Sequence, residues 1–181
     1  MVAKTAALVE GVKEEDLSKR TPCPEYDVKT LLSHLIGWTR LFAACVAGRR
    51  PDEGDGDAYR LSELSSAGPE YRAAAEALLS AFRDQGTDHE VTVMGSPLPA
   101  TAVLGMSLGD QLAHGWDIAT ATGQDPGFTG EEAVAARTAL APMLTDEYRG
   151  EGKGFGHRVD VADTASELDK FIAFTGRDPR R

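Results

Sequence analysis

The sequence predicts an all-α protein: a four-helix bundle with long connections, short extra helices and room for one short β-hairpin. Three observations carry that expectation. Apolar residues recur at helical spacing along nearly the whole chain. Recognisable starts and stops bracket the periodic stretches. Four of those stretches are substantial, and the segments joining them are long. The 181 residues suit one compact domain spanning 1–181, and no internal repeat divides it.

Residues 2–18 form a modest amphipathic stretch through Ala6, Val9 and Val12, weakened by Gly11 and ended by RTPCPEYD with its two prolines. Asp27 then caps a helix to about Ala47, with Val28, Leu31, Leu35, Trp38, Phe42 and Val46 on one face. GRRPDEGDGD reads as a polar loop. Its acidic run is like a calcium loop only in composition: counted from Asp52, glycine stands third and fifth and Asp57 stands where glycine is required, so a solvated loop is expected. A third helix is expected from near Pro69, a favourable first-turn position, through Tyr71, Ala75, Leu78 and Phe82. HEVTVMGSPLP alternates briefly around a Gly-Ser-Pro turn, which predicts two short strands or an extended crossover. The fourth long helix runs from about Ala100 to Thr122 and is closed by Gly123. Thr129 with Glu132 makes a capping box for a helix to about Tyr148, and Thr164 with Glu167 makes another for a final helix to Phe174. RGEGKGFGH between them is a flexible glycine-rich loop, with neither the Lys-Ser or Lys-Thr step nor the preceding strand of a phosphate loop.

Charge narrows the function classes. Nineteen Lys and Arg against 29 Asp and Glu give a formal net charge of −10, a field that repels phosphate backbones and anionic headgroups. Nucleic acid is therefore not an expected partner. No basic, apolar leader pattern and no long apolar run is present, so a cytoplasmic protein that makes no membrane contact is expected. Cys23 and Cys45 are too few for a disulfide framework and lack zinc-motif spacing; free buried thiols are expected, Cys23 packing at a helix entry.

The chemistry concentrates in GDQLAHGWDIATATG, residues 109–123. At about 100° per residue, Asp110 and His114 lie roughly 40° apart, with Asp117 within about 20° of Asp110 on its other side. The rest of this helix is uncharged and apolar on nearly every side, so most of it should be buried. A buried, unpaired carboxylate is costly, so Asp110 and Asp117 need a cation, a metal or convergent donors. The alternative is a solvent-facing stripe, with Asp117 bonding a neighbouring helix end. His34 falls between Leu41 and Cys45 in angle, inside the apolar arc of its helix, while Ser33, Gly37 and Arg40 mark the other side. Alone it would read as a hydrogen-bonded core histidine. With Asp110 and His114 it completes the 2-His-1-carboxylate set that suits Zn, Fe or Ni and leaves coordination positions open. His89 and His157 fall in loops where exposure is expected, with His157 at a site mouth as the less expected alternative. No Ser has a defensible His and Asp pairing.

TPCPEYDVKTLLSHLIGWTRLFAA together with DQLAHGWDIATATGQ resembles the DinB-like metal-binding superfamily, in the branch similar to the metal-binding domain of mycothiol-dependent maleylpyruvate isomerase. The closing FGHRVDVADTASELDKFIAFTGRDP resembles the end of single-domain members, so the likeness spans nearly the whole chain. The resemblance implies a four-helix bundle whose divalent metal, Zn, Ni or Fe, is held by a His on the second helix and by a carboxylate and a His one turn apart on a later helix. Those roles fall on His34, Asp110 and His114, with Asp117 of HGWD supporting them. It further implies metal-dependent chemistry of the thiol-transferase kind, with mycothiol or a similar small thiol as cosubstrate and a small electrophile as its partner. Two features depart from the isomerase. Asp110 stands where the isomerase has the longer Glu, and the sequence ends at Arg181 without room for the second domain that contributes to the isomerase's active site. Maleylpyruvate isomerisation itself is therefore not expected. Two other readings stay open: a hydrolase with Asp117 or His157 as general base, and a non-catalytic metal-binding or interaction bundle. A homodimer through exposed helix faces is expected by analogy with relatives.

Overall fold

A computed structural model describes residues 1–49, 56–151, 153 and 155–180. The chain forms α1 (Val2–Glu10), α2 (Val28–Val46), α3 (Leu64–Gln85), β1 (Glu90–Val93), β2 (Ser96–Pro99), α4 (Ala100–Thr122), α5 (Gly130–Leu140) and α6 (Glu167–Phe174), with 3-10 turns at Glu14–Asp16, Gly56–Ala58 and Asp146–Tyr148. The protein is mainly helical with one small antiparallel hairpin, as its periodicity predicts. Packing runs from α1 to α3, α3 to α2, α2 to α4 and α4 back to α1, which closes a four-helix bundle; α5 covers α4 and α6 covers α5. Among the described residues, no helix is long and apolar enough to cross a membrane.

The helix ends follow their capping chemistry. The Asp27 side chain accepts from the Thr30 N–H at 2.8 Å and starts α2. Gly123 ends α4 in the left-handed region, at φ 73°. Four boundaries differ from the sequence prediction. The stretch 2–18 breaks at Gly11, because Lys13 and Asp16 cap a separate 3-10 turn. Helix α3 begins at Leu64, so Pro69 sits in its second turn behind the small residues Ser65 to Gly68. Helix α5 stops at Leu140 instead of near Tyr148, since Pro142 has no N–H to extend the ladder. Ser166, not Thr164, caps α6 by accepting from the Asp169 N–H at 3.0 Å. The hairpin turns at Met94 and Gly95, φ 48° and 83°, one residue before the expected Gly-Ser-Pro turn, because that pair supplies the two positive-φ positions a two-residue hairpin requires.

One polar clasp fixes the bundle's register. Buried Gln111 on α4 accepts from the Tyr71 hydroxyl of α3 and donates to Thr39 Oγ1 of α2 at 3.1 Å, while its carbonyl accepts from Thr5 Oγ1 of α1 at 3.1 Å. Around it pack Val9, Leu31, Leu35, Ile36, Leu112 and Ile118, each at most 1% exposed. A smaller cluster of Leu41, Phe42, Leu78, Val91 and Val103 joins the hairpin to the other end of α2. Cys23 and Cys45 are free and buried.

Glu132 ties α1 to α5. Its carboxylate accepts from the Thr129 N–H at 2.8 Å, closing the predicted capping box, and from Lys4 Nζ at 2.6 Å. Partial burial opposes ionisation, yet hydrogen bonds from Lys4, the N-terminal amine and Thr129 bring the Glu132 carboxyl down to about 2. A carboxyl lowered on folding stabilises above its unfolded pKa, here near 4.5, and that contribution is lost as pH falls toward about 2. Glu132→Gln should therefore melt a few degrees below the wild type at pH 7. Thermal scans across pH 5 to about 2 should show the gap closing as the wild-type carboxyl protonates.

Candidate metal centre

Helices α2 and α4 cross so that His34 faces Asp110 and His114, which sit one turn apart on α4. One donor atom from each of the three lies within 4.8 Å of the other two. His114 Nε2 is 4.0 Å from Asp110 Oδ1, and the two imidazole rings meet edge-on with centroids 4.9 Å apart. The stripe grades inward: Asp110 is partly exposed, His114 is buried and Asp117 is fully buried. Tyr26, just before the α2 cap, packs beside His34 with ring centroids 4.8 Å apart and closes one side of the site.

Each imidazole has its Nδ1 engaged. His114 Nδ1 lies 3.1 Å from Asp117 Oδ2. His34 Nδ1 lies 2.6 Å from Asp57 Oδ1 and 3.1 Å from the Tyr26 hydroxyl. In a neutral ring whose Nδ1–H donates to the carboxylate, Nε2 keeps its lone pair, the state in which histidine binds a metal. Donors around a tetrahedral ion with bonds of about 2.1 Å stand roughly 3.4 Å apart, so His114 and Asp110 at 4.0 Å, and the set of three within 4.8 Å, would draw in by side-chain movement to hold one. Two imidazoles and one carboxylate, pre-oriented in this way, fit a divalent ion.

Asp117 is held by a residue the sequence reading missed. Arg177, three residues beyond the end of α6, donates from Nε to Oδ1 at 2.8 Å and from Nη2 to Oδ2 at 2.7 Å. Its Nη1 donates to the Thr175 carbonyl. Burial by itself pushes the Asp117 carboxyl up, but the Arg177 charge and the bonds from His114 and Arg177 bring it below the usual carboxylate range. Burial pushes the His114 imidazole down, with the Asp117 hydrogen bond opposing it, which favours the neutral ring. The one available signal was the demand itself: a carboxylate buried in an apolar helix needs a cation.

The other candidates fall elsewhere. His157 is exposed and lies against Gly150, and His89 precedes β1; neither belongs to the converging set among the described residues. The acidic loop read as solvated lies in part, at residues 52–55, outside the described residues. Its last member, Asp57, is half-exposed but reaches His34, so for that residue the reading was incomplete. The missed cause is packing: the 3-10 turn Gly56–Ala58 is pressed onto α2.

The family model for the mycothiol maleylpyruvate isomerase N-terminal domain matches residues 1–119 of this chain. The protein belongs to that family, the DinB-like branch its motifs resemble. Two curated relatives, uncharacterized protein MT0763 of Mycobacterium tuberculosis strain CDC 1551 / Oshkosh and uncharacterized protein Rv0738 of strain ATCC 25618 / H37Rv, are each 28% identical over 177 residues, covering 97% of this chain and 92% of the relative. No solved structure matches.

Breaking the buried pair has a predictable effect. Arg177→Ala leaves the Asp117 charge uncompensated and should destabilise the protein by about 3–5 kcal/mol in urea unfolding. Combining Arg177→Met with Asp117→Asn removes both charges and should recover a large part of that loss.

Proposed function

We propose that the protein is a metal-dependent thiol S-transferase or isomerase that uses mycothiol or a similar low-molecular-weight thiol. The observation that carries this reading is the convergence of His34, Asp110 and His114, with both imidazoles held at Nδ1, in a chain of the mycothiol maleylpyruvate isomerase N-terminal domain family. His34, Asp110 and His114 would hold the ion, with Zn, Ni and Fe all compatible with the donor set. A divalent ion there supplies positive charge beside open positions, the chemistry that lowers a thiol's pKa and favours its thiolate. The chain's own groups keep the imidazoles aimed, and Asp110 is the partly exposed member of the set. The reading places the protein in the cytoplasm, acting on small molecules and not on nucleic acid or membranes, with a homodimer as its expected assembly.

Asp117 also favours thiol over water. A hydrolase needs a base that can take a proton from water. Both Asp117 oxygens are occupied by Arg177 and His114, and the side chain has no exposed surface. A thiol whose pKa is lowered needs no dedicated base.

Titration with Zn²⁺ and Ni²⁺ should show that Asp110→Ala and His114→Ala lose affinity severely, whereas Asp117→Ala loses about 10- to 100-fold, as expected for a residue that holds a ligand. Metal-loaded protein should then couple monobromobimane or a chlorinated dinitrobenzene to mycothiol, bacillithiol or glutathione, and His114→Ala should not. Turnover of esters or amides without thiol would establish the hydrolase instead. Inactivity throughout, with a large metal-dependent rise in melting temperature, would establish a non-catalytic bundle.

A further inference from the structure

We infer that Asp57 is the positioning residue for His34, and that Gly37 and Gly56 are what allow it to reach. The inference rests on the metal-site reading and adds to it two groups that lie outside the ligand set.

His34 Nδ1 has two oxygen neighbours, the Asp57 carboxylate at 2.6 Å and the Tyr26 hydroxyl at 3.1 Å. A ring that presents Nε2 as a lone pair carries its proton on Nδ1, and that proton goes to the closer, charged acceptor. Asp57 therefore stands to His34 as Asp117 stands to His114. The two carboxylates are held by different means. Asp117 is locked by a guanidinium in the core, whereas the Asp57 side chain is 49% exposed and comes from a turn packed on α2.

That backbone is set down on glycine. A Cβ at Gly37, on α2 and one turn beyond His34, would collide with the Gly56 carbonyl oxygen and come within 2.8 Å of Tyr59 Cβ. A Cβ at Gly56 would run into the Trp38 ring at 2.6 Å. The segment after the turn is pinned to the same stretch of α2: the Leu61 N–H donates to Ser33 Oγ at 3.1 Å, and Tyr59 and Leu61 are buried. Ser33, Gly37 and Trp38 thus seat the Gly56–Ala58 turn against the helix, and Asp57 is delivered to His34 from that seat. A side chain at position 37 would lift the turn and withdraw the carboxylate without touching His34.

The test uses Ni²⁺ affinity by competition titration together with the ¹H–¹⁵N signal of the His34 ring in labelled protein. Asp57→Ala should weaken Ni²⁺ binding about 10- to 100-fold and shift the ring of metal-free protein away from the Nδ1–H tautomer. Melting temperature should hardly change, because the side chain is half-exposed. Gly37→Ala should reproduce the affinity loss, and the double variant should lose no more than either single one, since both remove the same contact. Tyr26→Phe should retain the tautomer. Unchanged affinity and tautomer in Asp57→Ala would overturn the inference even if Gly37→Ala fails to fold. If the wild type binds no divalent ion, the thiol reading falls, while the tautomer of metal-free wild type against Asp57→Ala still decides the role of Asp57.

Discussion

The buried charge of Asp117 is the constraint on which the site depends. Helix α4 packs against α1, α2 and α5, and the Asp117 carboxylate on its last turns has no access to water. Such a charge persists only with a partner of opposite sign in good geometry. Arg177 provides that partner and thereby ties the chain after α6 to the centre of the bundle. The same carboxylate receives His114 Nδ1. One interaction therefore anchors the C-terminal segment and selects the tautomer of a candidate ligand. The family match ends at residue 119, so the group that stabilises Asp117 comes from beyond the matched region.

Close helix packing serves the same end. Gly105 and Gly109 let α5 approach α4 until a Cβ at either would meet Ala139 or Leu140, and Gly115 makes room for Phe128. Gln111, between Asp110 and Leu112, bonds to α1, α2 and α3, so the turn of α4 that carries Asp110 and His114 is held from three directions. Side chains on a backbone so fixed lose little further freedom on taking up a ligand, which is the value of building a site on helices and not on loops.

Much of this was legible in the sequence. The periodicity with the Asp27 and Gly123 signals defined α2 and α4 to within a residue or so, and angular arithmetic put Asp110, His114 and Asp117 on one stripe and His34 inside an apolar arc. Ends governed by tertiary contact were not legible: Pro69 lies inside α3, and Ser166 displaces Thr164 as a cap. Arg177 and Asp57 were missed for the same physical reason. Each lies far along the chain from the histidine it serves, and no local pattern marks it. Arg177 was implied only by the energetic demand of Asp117, and Asp57 only by a glycine at position 37 that in a helix otherwise costs stability without return.

Charge is distributed unevenly about the candidate site. On its closed side the Asp117–Arg177 pair cancels. On its open side Asp110 and Asp57 each bring a negative charge, and the chain as a whole carries −10. Those two carboxylates make the open side favourable to cations and unfavourable to small anions. Positive charge among His34, Asp110 and His114 would offset those carboxylates. On the proposed reading, an ion held by the three donors would favour an anionic partner beside it. The short side chain of Asp110, held on rigid α4, keeps its charge beside His114, whereas that of Asp57 stays on the outer edge of His34, where it steadies the ring without competing for the centre.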